Sequence, residues 1–188
     1  MEQDTKSLII DIATSLFQLK GYMGVGLTEI IKTCNISKGS FYHHFPNGKE
    51  ELLIACLQSI SDAITGDIKD FFERYPTAEE ATKKMIEKLV DNFEREGTIA
   101  AYTFTSIVSE MGALSESVRN TCSALYIRMQ EIYSAKLEAD GFSKEAAAST
   151  ALMMTATIEG GIILCLTQKV SDPLKIMSHE LPKLLKKI

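Results

Sequence analysis

The chain has 188 residues, 45% of them hydrophobic and 24% charged, with a formal net charge of −5. Those proportions belong to one or two folded domains and exclude a disordered tail, a collagen-like fibre and a small disulfide scaffold. Net acidity also argues against nonspecific nucleic-acid binding by the whole chain. With only four prolines and eleven glycines, long segments run without breakers, which favours an all-α fold over a β fold full of turns.

Four cysteines, Cys34, Cys56, Cys122 and Cys165, show no CxxC spacing and have no His or Cys within three residues. They read as small buried thiols in a reducing compartment, with no metal and no cofactor implied. The acidic start, Met1-Glu2-Gln3-Asp4, is not followed by a signal-type apolar core. The most apolar stretch, 146–167, is interrupted by Thr150, Thr155, Thr157 and Glu159. It reads as a buried helix rather than a membrane span, so a cytoplasmic protein is expected. Charge is uneven along the chain. Residues 1–49 hold five lysines against Glu2, Asp4, Asp11 and Glu29, a net of +1, and 50–188 hold fifteen basic and twenty-one acidic groups, a net of −6. Only the N-terminal quarter would meet a polyanion without net repulsion.

In chain order, 4–20 places Leu8, Ile9, Ile12, Ala13, Leu16 and Phe17 on one helical face, with Gly21 as a helix stop. Thr28 is placed to cap a short helix over 29–34, carrying Ile30 and Ile31. Asn35-Ile36-Ser37 makes a three-residue turn, Asn tolerating the left-handed conformation and Ser37 capping the next helix. That helix, 38–44, puts Phe41 and Phe45 one turn apart, facing inward, and Pro46 ends it. Asn47-x-x-Glu50 resembles a capping box opening a long helix to about Arg74, striped by Leu53, Cys56, Leu57, Ile60, Ile64, Ile68 and Phe71. Thr77-x-x-Glu80 opens another, with Ala81, Met85, Leu89 and Phe93, to Gly97. Segment 98–111 is short and apolar. Segment 115–139 carries Val118, Cys122, Leu125, Met129, Ile132 and Leu137 and stops at Asp140-Gly141. Ser143 caps a helix to about Gln168, and Asp172-Pro173 starts the last one, which Pro182 interrupts.

Two short helices joined by three residues, after a packing helix, form a helix-turn-helix. Ala13, Leu16-Phe17, Gly21, Thr28, Ile30, Ile36-Ser37-Lys38-Gly39, Tyr42, His44-Phe45, Lys49 and Leu52 agree in order and spacing with one family. Over 13–52 the chain resembles the DNA-binding unit of the TetR/AcrR repressors. It departs from the commonest form at Ile31 and Asn35 and by one extra residue in Phe45-Pro46-Asn47-Gly48-Lys49. That longer stretch, and Ile158-Glu159-Gly160-Gly161 late in the chain, resemble the LmrA/YxaF-like branch.

The residues have physical roles to match. Lys38, Gly39, Tyr42 and His43 lie on a different face from Phe41 and Phe45 and suit a major groove. Gly39 lets backbone approach DNA closely. Tyr42 offers a hydroxyl to a phosphate or a ring edge to a thymine methyl. Thr28, at a helix start, and Lys49, in the first turn of the next helix, suit phosphates. Ser37 and Ser40 open the recognition helix, and His44 borders its two faces. The adjacent histidines point apart, so a phosphate or surface role suits them better than a metal. The first arginine is Arg74, so a bidentate arginine–guanine contact is not available from the reading head. Lys38 is expected to make the main purine contact, with DNA shape and phosphates carrying much of the affinity.

The resemblance implies a DNA-binding domain over 1–49 and a helical effector-binding and dimerisation domain over 50–188. The partners expected are a double-stranded palindromic operator, a small hydrophobic or aromatic effector and a second copy of the chain, with no membrane. A homodimer follows because two reading heads must stand about 34–36 Å, or a multiple, apart. Ala147, Ala151, Gly160 and Gly161, which permit close approach, and Ile162, Leu166, Leu174, Leu181 and Leu185 are candidates for the dimer interface, with intramolecular core as the competing reading. Tyr102, Phe104, Met111, Tyr126, Met129, Tyr133, Met153 and Glu159 are candidate effector contacts, again against plain core. Glu159 needs a partner, for which a ligand hydroxyl or cation is suitable. The competing functions are a helical-bundle enzyme and an interaction protein without DNA binding. No nucleophile–base set or phosphate loop supports the first. The Thr28, Lys38, Tyr42 and Lys49 set argues against the second.

Overall fold

The computed structural model describes residues 2–99 and 115–186. Among them the chain is helical without strands: α1 Glu2–Lys20, α2 Leu27–Thr33, α3 Lys38–His44, α4 Lys49–Arg74, α5 Ala78–Glu96, α6 Glu116–Ala139, α7 Lys144–Gln168, α8 Asp172–Glu180, and a closing 3₁₀ turn Pro182–Leu185. Tyr102, Phe104 and Met111 lie outside the described residues.

The described chain forms two compact units. One takes residues 2–62 and 115–124, the other 63–99 and 125–186. In the first, Ile9, Ala13 and Phe17 of α1 are fully buried with Ile30, Phe41, Phe45, Leu52, Leu53 and Cys56. Each large apolar side chain removed from water in this way stabilises the unit by about 1.5–3 kcal/mol. Leu8, expected on the inner face, is instead 45% exposed. The buried series 9, 13, 17 repeats every four residues, so position 8 turns to solvent.

In the second unit, α8 packs on α5 and α7, and the 3₁₀ turn packs on α5. Polar ties fix the corners. Asp140 accepts the Ala78 N–H at 2.5 Å, and Lys136 donates to the carbonyls of Tyr75 and Pro76. On α4, Phe72 rather than Phe71 is buried, against Tyr133 at 5.3 Å. Phe71 stacks on Tyr75 beside the Lys88 ammonium.

Helix ends follow local chemistry. Ser37, Thr77 and Ser143 each accept an N–H from the first turn they cap. Gly97 stops α5 in the left-handed region. Three caps differ from expectation. Gly26, not Thr28, is the N-cap of α2, because its extended backbone already turns the chain and its carbonyl takes the Glu29 and Ile30 N–H groups. The box at α4 closes through Glu51, which accepts the Asn47 N–H at 2.8 Å, while Glu50 accepts from Ser115. Ser171 precedes α8, with Asp172 already helical, and sends its hydroxyl to Glu94 instead of capping.

Helix α7 is long and apolar enough to cross a membrane by length and composition alone. Its two sides differ in the structure. Ala147, Ala151, Met154, Ile158, Ile162 and Cys165 are buried. A Cβ on Gly161 would collide with Met177 of α8, so this glycine serves packing within the chain. The opposite side exposes Leu152, Met153, Ile163 and Leu164. Of the two readings open for Ala147, Ala151, Gly161, Ile162, Leu174, Leu181 and Leu185, dimer interface or intramolecular core, the structure shows the second. All are buried inside one chain.

Candidate nucleic-acid interface

The site begins with the turn that aims α3. Asn35 adopts a left-handed φ of 52°. Its short polar side chain tolerates that conformation, so the chain reverses within three residues. Ser37 then caps α3 by accepting the Ser40 N–H at 3.0 Å. Phe41 and Phe45 anchor the helix from below, both essentially without exposure, their rings 5.6 Å apart.

Anchoring one face presents the other. Lys38, Gly39, Tyr42 and His43 are exposed, and Ser40 and His44 half-buried. Lys38 and Tyr42 stand one turn apart, the ammonium 5.9 Å from the ring centroid. Tyr42 meets Phe41 edge-on at 5.4 Å, which fixes its ring while leaving it 40% exposed. The two histidines do not point apart as expected. Their rings meet edge to face at 5.2 Å.

Gly39 has ample room. The nearest atom to a Cβ built there is Ser37 Oγ at 3.8 Å. Nothing among the described residues therefore demands glycine at this position. Gly48 is different. It holds φ at +80° and is buried, making the turn from α3 into α4. That turn places Lys49 against the α1–α2 corner. Its ammonium donates to the Tyr22 carbonyl at 2.6 Å and sits 3.9 Å from the Tyr22 ring centroid. Lys49 thus has a holding role inside the unit that the sequence pattern did not separate from a phosphate contact. Thr28 is exposed in the first turn of α2.

Lys6, which carries no motif signal, places its ammonium 5.6 Å from the Phe45 ring, beside the recognition helix. Glu29 of α2 is paired with Lys20 at 2.5 Å.

The candidate effector residues divide. Tyr133 is core: it is 1% exposed and its hydroxyl donates to Met85 Sδ at 3.9 Å. Met129 is also buried, and Met153 faces outward at 40% exposure. Tyr126 and Glu159 come together, the hydroxyl of the first donating to the carboxylate of the second. A cleft of about 370 Å³ bounded by Thr77, Glu79, Asp140, Leu185 and Lys186 includes none of these residues.

Two family models match the chain, "Bacterial regulatory proteins, tetR family" over residues 9–56 and "Transcriptional regulator LmrA/YxaF-like, C-terminal domain" over 78–180. The chain belongs to the TetR family of transcriptional regulators. Within it, the chain is of the LmrA/YxaF type. It is 36% identical over 184 residues to the HTH-type transcriptional regulator LmrA of Bacillus subtilis, covering 98% of each chain. It is 33% identical to YxaF of the same organism, over 98% of this chain and 96% of that one. The solved structure of reduced Escherichia coli NemR superposes with a TM-score of 0.86 over 98% of this chain and 96% of that chain; at 22% identity it speaks for the fold alone. The family is one of DNA-binding regulators, not enzymes.

Proposed function

We propose that this TetR-family regulator is a homodimeric repressor that holds a palindromic operator and releases it when a small hydrophobic or aromatic effector binds. Residues 1–49 read the DNA, and 50–188 bind the effector and the second copy. Such a regulator works in the cytoplasm, where the operator lies.

The observation that carries the DNA reading is the exposed Lys38–Tyr42 face on a helix pinned by Phe41 and Phe45. Lys38 contacts a purine, Tyr42 a phosphate or thymine methyl, and Gly39 admits the backbone into the groove. Ser37, Ser40, His43, His44, Thr28 and Lys6 supply phosphate contacts around it, and Lys49 positions α4.

The dimer reading is supported by the unburied side of α7. Leu152, Met153, Ile163 and Leu164 flank Ala156 and Gly160 there, and Ile176 of α8 is 62% exposed. Apolar area of this kind on a regulator needs a cover, and the small residues let a second helix come close. Nuclease protection with the DNA upstream of the chain's own gene tests the reading. Two protected half-sites one helical turn or a multiple apart are expected, with affinity falling steeply as salt rises. Unprotected DNA at low salt would refute it.

A further inference from the structure

Between Glu145 and Lys169, α7 has one charged residue, Glu159. At 1.5 Å per residue those two charges lie about 15–20 Å away along the helix. One Glu159 oxygen takes the Tyr126 hydroxyl of α6. The other, Oε2, is shielded from solvent and has no hydrogen-bond partner among the described residues. Its neighbours on the helix, Ile158 and Ile162, are buried apolar side chains. The stretch 100–114, which holds three of the candidate effector residues, contains no Lys, Arg or His. No cation from that segment is available to balance Glu159.

A shielded carboxylate without a counter-charge is costly, and it persists where something else completes it. We propose that Glu159 Oε2 receives the protonated amine of the effector, an otherwise apolar aromatic molecule, while Tyr126 holds the carboxylate in place. The proposal rests on the reading of the chain as an effector-responsive regulator and names the effector's chemical class.

The electrostatics support this. Burial pushes the Glu159 carboxyl up to about 7, partly offset by the Tyr126 hydrogen bond. An arriving ammonium pulls the carboxyl back down, so binding expels its proton. Amine affinity therefore rises with pH through about 7 and levels off above. A neutral hydroxyl compound has no such dependence on ionisation.

A matched pair of probes tests the assignment with the full-length protein: 1-naphthylmethylamine and 1-naphthylmethanol, followed by calorimetry at pH 6 and pH 8. At pH 8 the amine is expected to bind about tenfold tighter or more than the alcohol, a difference of about 1.4 kcal/mol. The gap narrows at pH 6. Glu159→Gln abolishes the preference, and Tyr126→Phe keeps it with several-fold weaker binding. Equal binding of the two probes, no binding of either, or a preference that survives in Glu159→Gln overturns the proposal. So does dissociation of a Glu159→Gln dimer, which would assign the missing donor to the second copy. Operator binding is measured alongside. If it persists without amine binding, this inference alone falls; if operator binding is also absent, the regulator reading falls with it.

Discussion

Lys38 and Gly39 are adjacent, yet their substitutions are expected to separate reading from folding. Lys38→Ala removes the proposed base contact, worth about 1–3 kcal/mol. Operator affinity should fall about tenfold or more in a gel shift, with binding to random DNA nearly unchanged; an equal loss on both would mean that Lys38 meets only phosphate. Gly39→Ala has space for its methyl and should leave the melting temperature unchanged or slightly higher, since alanine favours helix. DNA affinity should fall nonetheless. Glu159 gives a pH prediction. Its folded carboxyl titrates near 7 against 4.5 for a free one, so the folded state keeps a proton that the unfolded chain loses between those values. Stability from this group is therefore full below about pH 4.5 and declines as pH rises towards 7. Glu159→Gln should melt higher than the parent at pH 8, by about 2–4 °C for each kcal/mol relieved, and the gap should close by pH 5. A gap independent of pH in thermal scans would place the effect elsewhere. The thiols are inert by the same logic: burial raises all four, Cys56 and Cys122 to about 11. Iodoacetamide at pH 8 should label the native protein far more slowly than the urea-unfolded chain.

At the scale of elements, the α2–α3 turn depends on Asn35 at φ 52°. A β-branched residue there costs about 1–2 kcal/mol. Asn35→Val should lower the melting temperature and weaken DNA binding together, whereas Asn35→Gly should preserve both; calorimetric scans of the two variants decide it. The capping pattern at α4 shows how a motif is legible yet shifted. Asn47 and an acidic partner do meet, but through Glu51, because Gly48 at positive φ adds a residue to the turn before the helix begins. Glu50 is freed to accept from Ser115, a contact between segments far apart in sequence that no local pattern announces.

For the whole molecule, the surface proposed for the dimer is the unburied side of α7. Ile163→Glu places a charge on that side and should convert the proposed dimer to monomers in sedimentation without loss of helix content. Operator affinity should collapse with it, because one reading head cannot span two half-sites. A variant that stays dimeric would move the interface to another face.

Periodicity, caps and breakers determined the helices and the reading head by themselves, because those signals act within a turn or two of chain. Phe41 and Phe45 at one-turn spacing dictate which side of α3 is exposed, and Ser37 and Asn35 dictate where it starts. The sequence could not divide α7. A helix apolar on every side has no amphipathic stripe to read, and only the packing of α8, with Met177 against Gly161, decided which residues face inward. The same holds for Lys49 and Glu159. A lysine and a glutamate look alike wherever they fall, and the neighbours that make one a clamp on Tyr22 and leave the other with an oxygen unpartnered among the described residues arrive only when distant segments fold together.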